Sequence, residues 1–345
     1  MIHTDTRPTR GSTGAVTAAA VATVALLLAA CGGGGSTLTP SSTPTGSSAS
    51  PTPTASTTPT STTPAVAGHA TLTGLPMASL AAIDRPIVVI DVGFPAGHAA
   101  PSGIAQADVV YQEFDRPGRS RLVAVYQSQD AGTVGPVVDT SPIDWRVTSV
   151  MGLPVLAFAS GSTGFVKQVG PTVVTPRSSD TYPSLFRHSG GALYTSTTAL
   201  RASAPGAAVA PKGLIGFGDS AAESKAGRKV THLTVTVPGQ PAQSWTFNGQ
   251  LWVGPGGVTA TNVVVQNVPY KTLTPNHAPP VGSALIIGSG SGTVVAGGVS
   301  VAVSWFRLQL TSITNYVDVH AFPVTLLPGR SWVIFAPPGS KAVTS

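Results

Sequence analysis

Between Gly32 and Ile83 the chain carries no Asp, Glu, Lys or Arg, and most residues there are Ser, Thr, Pro, Gly or Ala. No other feature limits the fold so strongly. A segment of this composition buries too little apolar surface to offset the entropy of ordering its backbone, so it is expected to stay a disordered tether. Thr-Pro repeats such as Pro51-Thr52-Pro53-Thr54 bias it toward extended polyproline II, and about fifty such residues reach on the order of 100 Å. Dense Ser/Thr with Pro also permits O-glycosylation. Folding is confined to the chain beyond the tract, roughly 260 residues, enough for one large domain or two ordinary ones.

Upstream of the tract stand Arg7 and Arg10, then an apolar run from about Ala15 to Ala30, then Cys31, the only cysteine. A basic start, an apolar run shorter than the roughly 20 residues of a spanning helix and small residues at its end form an export signal. A single cysteine excludes an internal disulfide or a thiolate metal cluster. Leu28-Ala29-Ala30-Cys31 resembles the bacterial lipobox, in which cysteine becomes the first mature residue and carries lipid on its sulfur. Acyl chains at about 0.8 kcal/mol per buried CH2 then hold the protein on a bilayer. The expected organisation is a signal peptide over 1–30, a lipidated Cys31 with its tether over 31–71, and a folded part on the extracytoplasmic face of the cell membrane.

The formal net charge is +6, and losing Asp5, Arg7 and Arg10 with the signal leaves it basic. Basic residues are scattered apart from Arg116, Arg119, Arg121 and Arg228-Lys229, without interleaved aromatics, so the pattern excludes a nucleic-acid reader. An exported basic domain is drawn instead to anionic envelope polymers or headgroups.

Short apolar runs in the first part read as strands: Ile87 to Asp91, Val109 to Glu113, Leu122 to Gln127, Val155 to Ala159 and Thr172 to Thr175. Ile143 to Met151, Thr163 to Val169 and Thr195 to Ala202 read as helices. After about Lys212 strand follows strand, among them Asn262 to Gln266, Ala284 to Ile287, Gly292 to Ala296, Val299 to Leu308 and Trp332 to Phe335. The expected class is α+β: a mixed sheet with helical cover over 72–211, then a β-rich lobe over 212–345.

Thr73-Gly74-Leu75-Pro76, Ser102-Gly103-Ile104-Ala105-Gln106-Ala107-Asp108, Gly118-Arg119-Ser120-Arg121-Leu122, Gly135-Pro136-Val137 and Leu193-Tyr194-Thr195-Ser196-Thr197 occur in this order. The series resembles the YerB-like lipoproteins, the DUF3048 family, over roughly Leu72 to Pro338. The resemblance implies an exported, usually lipid-anchored, two-part envelope protein and names no activity. It also marks departures. Val138, Asp139, Thr140 and Ser141 stand where the family pattern has Arg-Ser-x-Arg, Gly190, Gly191 and Ala192 replace Pro-His-Asn, and Arg116 and Val92 replace a Glu and an Asn. If those polar residues form a site in relatives, this copy keeps the scaffold and loses most of the chemistry, which argues against a shared catalysis.

Strand alternation puts Tyr111 and Glu113 on one face, with a charged turn from Asp115 to Arg121. Asp91, Glu113, Arg121, Arg187 and His188 could then converge at one sheet edge, where an arginine fork suits a carboxylate or phosphate ligand. An ordinary ion-pair cluster fits the same residues. Other chemistries lack their motifs. Cys31 is committed to lipid, no Lys-Thr-Gly occurs, Ser160 to Gly164 lacks the Gly-x-Ser-x-Gly frame, and no His-Glu-x-x-His is present. Gly288-Ser289-Gly290-Ser291-Gly292 lacks the lysine of a phosphate loop and reads as a strand connector. Trp252 and Trp305 read as core. No cofactor is expected. Two function classes remain: a tethered binding or adaptor protein whose partner is the wall polymer or a wall-synthesis protein, and a wall-glycan or peptide hydrolase using Glu113 with Asp115 or Asp91.

Overall fold

Two runs of eight residues flank Pro117-Gly118, and Gly118 takes φ 70°, a left-handed turn conformation open to glycine without a Cβ clash. The runs therefore fold back as an antiparallel hairpin, the seed of the main sheet. The computed structural model describes residues 68–159, 173–206, 208, 213–219, 224–274 and 280–345. Cys31, the signal, the helix expected at Thr163 to Val169 and the turn from Ser160 lie outside the described residues.

In chain order the strands of the main sheet are β1 (Val88–Pro95), β2 (Val109–Arg116), β3 (Arg119–Tyr126), β4 (Val155–Phe158), β5 (Thr175–Ser178), β6 (Arg228–Lys229), β7 (Asn262–Asn267), β8 (Gly288–Ala296), β9 (Val299–Arg307), β10 (Asn315–Val317) and β11 (Ser331–Ala336). Their spatial order is β6-β9-β8-β7-β11-β2-β3-β1-β4-β5, with β10 paired to β9. The central pairs β7–β11 and β11–β2 are parallel. The late strand β11 thus sits between the two parts of the chain and makes one sheet of both.

The alternation of β1 assigns the two faces. Val88, Ile90, Val92 and Phe94 join one core cluster, which includes Trp332, Leu233, Trp245 and Trp252. A second, five-stranded sheet of His232–Thr236, Gln243–Phe247, Trp252–Val253, Thr259–Ala260 and Lys341–Thr344 contributes to this cluster. Trp245 meets Trp332 edge to face at 5.5 Å, a favoured aromatic geometry. Trp332 Nε1 donates to Gln112 Oε1 at 3.0 Å, which satisfies the buried indole. Ile87, Val89, Val123 and Val125 join the opposite cluster with Ile143, Val147, Met151 and Trp305. Trp252 and Trp305 are core, as their strand pattern indicates.

The expected α+β class with helical cover is overturned. Among the described residues the α-helices are α1 (Leu80–Ile83), α2 (Pro142–Thr148) and α3 (Thr197–Ala202), none longer than 7 residues. The molecule is predominantly β, in several sheets. The physical reason is local. Pro142 and the Ser141/Asp144 capping box start α2, and Gly152 and Leu153 with φ 65° and 58° turn the chain soon after it, so the expected helix stops within two turns. One face of the sheet is consequently packed by a second sheet.

The glycine run is also corrected. Gly288 to Gly292 is the first half of β8, paired residue by residue with β9 from Gly288↔Arg307 onward. A Cβ on Gly292 would lie 2.7 Å from the Val265 carbonyl oxygen, and one on Gly290 2.8 Å from the Trp305 indole nitrogen. Close backbone and ring approach requires glycine at Gly290 and Gly292, while Gly288 takes φ 129°, a positive φ that favours glycine.

Candidate functional site

Glu113 and Arg121 face each other across the β2–β3 pair, and both point to the side of the sheet covered by α2. Asp91 on β1 points the same way, in phase with Ile87 and Val89. Asp144, third residue of α2, descends onto them. Arg121 grips Asp144 with both nitrogens, Nη1 to Oδ1 at 2.8 Å and Nη2 to Oδ2 at 3.1 Å. Its Nη2 also lies 3.0 Å from Asp91 Oδ1, and its Nη1 3.6 Å from Glu113 Oε2. The Ala284 amide donates to Glu113 Oε1 at 2.9 Å, and Ser141 Oγ to Oε2 at 3.2 Å. One guanidinium therefore serves three carboxylates, and all four side chains are at most 4 % exposed.

Burial pushes Glu113 up to about 7, against the pull of Arg121 and the Ala284 amide. Burial and the Asp144 charge hold Asp91 well above the usual carboxylate range, again opposed by Arg121. For Arg121, burial favours proton loss, but Asp144, Asp91 and Glu113 together outweigh it. The cluster ties three strands to one helix, as a buried network does. It leaves no carboxylate free in a cleft. Asp115, buried as well, is held by Arg119. Among the described residues no group of His, Cys, Asp or Glu could hold a metal ion, and between these carboxylates the cation's place is taken by Arg121.

Of the five residues expected to converge, the structure brings together Asp91, Glu113 and Arg121. Arg187 and His188 lie apart on the exposed hairpin Phe186–Ser189/Ala192–Thr195. Arg187 donates to Thr133 Oγ1 at 2.7 Å and stacks over Tyr194. Asp144 was missed, although Ser141-Pro142-Ile143-Asp144 is a capping-box pattern with proline at the first helical position. The expected charged turn is shorter than foreseen, since Arg121 is already inside β3.

A pocket of about 160 Å³ occupies the same face one step along the strands. Val147 and Met151 line it from α2 and just beyond, Val324 and Leu326 from a later loop, and Val333 and Phe335 from β11. Tyr111, two residues before Glu113, stacks on Phe335 with ring centroids 5.7 Å apart. Polar residues at its wall include Tyr111, Gln266, Arg307 and Tyr316, together with Thr314, Asn315, Thr325 and Ser331. Tyr316 Oη donates to Gln266 Oε1 at 3.2 Å. Arg307 Nη2 donates to the carbonyls of Arg146 and Leu310, each at 2.7 Å, and approaches Ser149 Oγ at 3.1 Å. Gln266 Nε2 and Arg307 Nε keep no hydrogen-bond partner, although these residues are 1 % and 3 % exposed. The signal was readable: Gln266 is in phase with buried Val264, and Arg307 with Val301, Val303 and Trp305, so both are polar residues at core positions.

The N-terminal domain of the family described as "Protein of unknown function (DUF3048)" matches residues 72–210, and its C-terminal domain residues 255–333. The chain belongs to the DUF3048 family. The crystal structure of YerB protein from Bacillus subtilis superposes with a TM-score of 0.65 at 16% identity, covering 80% of this chain and 99% of that one. At that identity the likeness shows a shared fold and no shared chemistry. No curated protein matches the chain. In this DUF3048 protein both family regions supply the main sheet: β2 comes from the first and β7 from the second.

Proposed function

We propose that this DUF3048 protein is a lipid-anchored protein of the cell envelope that binds a ligand or partner at the cell wall without catalysing a reaction. The carrying observation is the contrast between two neighbouring sites. The carboxylates that hydrolysis would need are sealed, Asp91 and Glu113 at ion-pair distance from Arg121 and Asp115 held by Arg119, whereas Gln266 and Arg307, which line the adjoining pocket, each keep a buried donor without a partner. A buried unpaired donor costs stability, and a bound acceptor would recover it. Wall polymer and wall-synthesis proteins are the partners within reach of a domain tethered by the charge-free tract. Cys31, with membrane lipid as its partner, supplies the anchor. The hydrolase reading, with Glu113 and Asp115 or Asp91, requires a carboxylate pair open to a polymer.

Replacing Cys31 by Ala should move the protein from the membrane to the soluble fraction with an unchanged circular dichroism spectrum, because the tether separates anchor from fold. Retention of Cys31→Ala on the membrane refutes the anchor. Incubating the wild-type protein with purified wall should release no soluble sugar or peptide; release that is lost in Glu113→Gln refutes the non-catalytic reading.

A further inference from the structure

We infer that the pocket beside α2 is a binding site for a small organic carboxylate with a compact apolar body, its head held by Arg307 and Gln266. The inference rests on the binding role proposed above and names the ligand class of that pocket.

The argument begins with charge. Arg307 is 3 % exposed, and among the described residues it forms no ion pair with a carboxylate. Its Nη2 contacts are to two carbonyls and one hydroxyl, which orient the guanidinium without neutralising it. A buried cation lacking a counter-charge is costly, and a bound anion supplies one. The donors set the head group. Arg307 and Gln266 line the pocket, and Arg307 Nε and Gln266 Nε2 are buried without partners; a carboxylate offers two oxygens to two such donors. A single guanidinium balances one negative charge. A phosphate dianion would remain half compensated.

The walls set the rest of the ligand. Val147, Met151, Val324, Leu326 and Val333 present only apolar side-chain surface. About 160 Å³ is close to the roughly 150 Å³ of an engineered apolar cavity that accepts benzene, so the body is the size of a ring or a short alkyl chain. Exposed Asn315 and Pro323 at the rim place the opening on the β10 side. Such a carboxylate is supplied by a free acid or by the C-terminus of a short apolar peptide.

The full chain, titrated calorimetrically at neutral pH, separates these possibilities. Hexanoate and benzoate represent free acids, N-acetyl-alanyl-alanine a peptide terminus, hexanol the apolar body alone and acetate the head alone. Hexanoate, benzoate or the peptide should bind at least ~10-fold more tightly than hexanol or acetate, the discrimination expected of a charge-assisted hydrogen bond. The tighter of acid and peptide identifies the source. Gln266→Leu should lose ~10-fold for the carboxylates and nothing for hexanol, and Arg307→Lys should also weaken carboxylate binding. Should Arg307→Lys fail to fold, because Arg307 also holds the carbonyls after α2, Gln266→Leu decides. Hexanol binding as tightly as hexanoate, or undiminished carboxylate binding by Gln266→Leu, overturns the ligand class while leaving a binding pocket. If no probe binds at millimolar concentration, the ligand class and the pocket's binding role both fall.

Discussion

Replacing Glu113 by Gln should stabilise the protein above neutral pH, an unusual outcome for a fully buried charged residue. Glu113 titrates near 7 in the fold, because burial penalises its charge, against 4.5 as the ordinary value. The folded state therefore binds the extra proton between these limits, and stability falls as pH rises through that window. The contribution is fully present below 4.5 and lost above about 7. An interval of about 2.5 pH units at 1.36 kcal/mol per unit gives about 3 kcal/mol as an upper figure. Gln mimics the protonated form: its carbonyl can still accept the Ala284 amide, and no charge has to be buried. Urea denaturation at pH 4.5, 6, 7 and 8 reads the effect directly. Wild type and Glu113→Gln should be nearly equal at the acid end and separate by up to about 3 kcal/mol at pH 8. Asp91, also raised, gives the same sign in both proteins, so the difference isolates Glu113. A wild-type stability that rises across this window, or a variant several kcal/mol less stable at pH 8, would refute the reasoning. It would mean that ionised Glu113 is held by Arg121 more strongly than burial opposes it.

Arg121→Ala removes the cation from three buried carboxylates and should cost about 3–5 kcal/mol by urea denaturation; a change under about 1 kcal/mol would show that water already reaches the cluster. Arg187→Ala and His188→Ala, on the exposed hairpin, should stay within about 0.5 kcal/mol of wild type, a thermal melt being sufficient to check. Gly292→Ala forces a Cβ to within 2.7 Å of the Val265 carbonyl oxygen and should cost about 1–3 kcal/mol by parting β7 from β8; an unchanged melting temperature would show that the strands can separate there at no cost.

Much of this protein was legible because the interactions concerned are local. Unbroken apolar runs over Val88 to Ile90 and Leu122 to Tyr126, and alternation over Val299 to Trp305, mark strands from their near neighbours. The same phase placed Glu113 and Tyr111 on one face. Where the expectation failed, the deciding contacts were distant in sequence. Pro142 and Gly152 bound α2 locally, but nothing near Ile143 announces that a sheet starting at His232 will pack the opposite face. Trp332 to Phe335 reads as one more late strand, yet Ser331–Ile334 pairs with Val109–Gln112 and joins strands from both parts of the chain in one sheet. Asp144 joins Arg121, and Gln266 approaches Tyr316, only once those strands are in register. Strand identity is a property of a few consecutive residues, whereas pairing depends on which apolar face finds cover across the whole chain. That is why Asp91 and Glu113 were legible in the sequence, while Asp144, the pairing around Arg121 and the pocket beside it were decided by the fold.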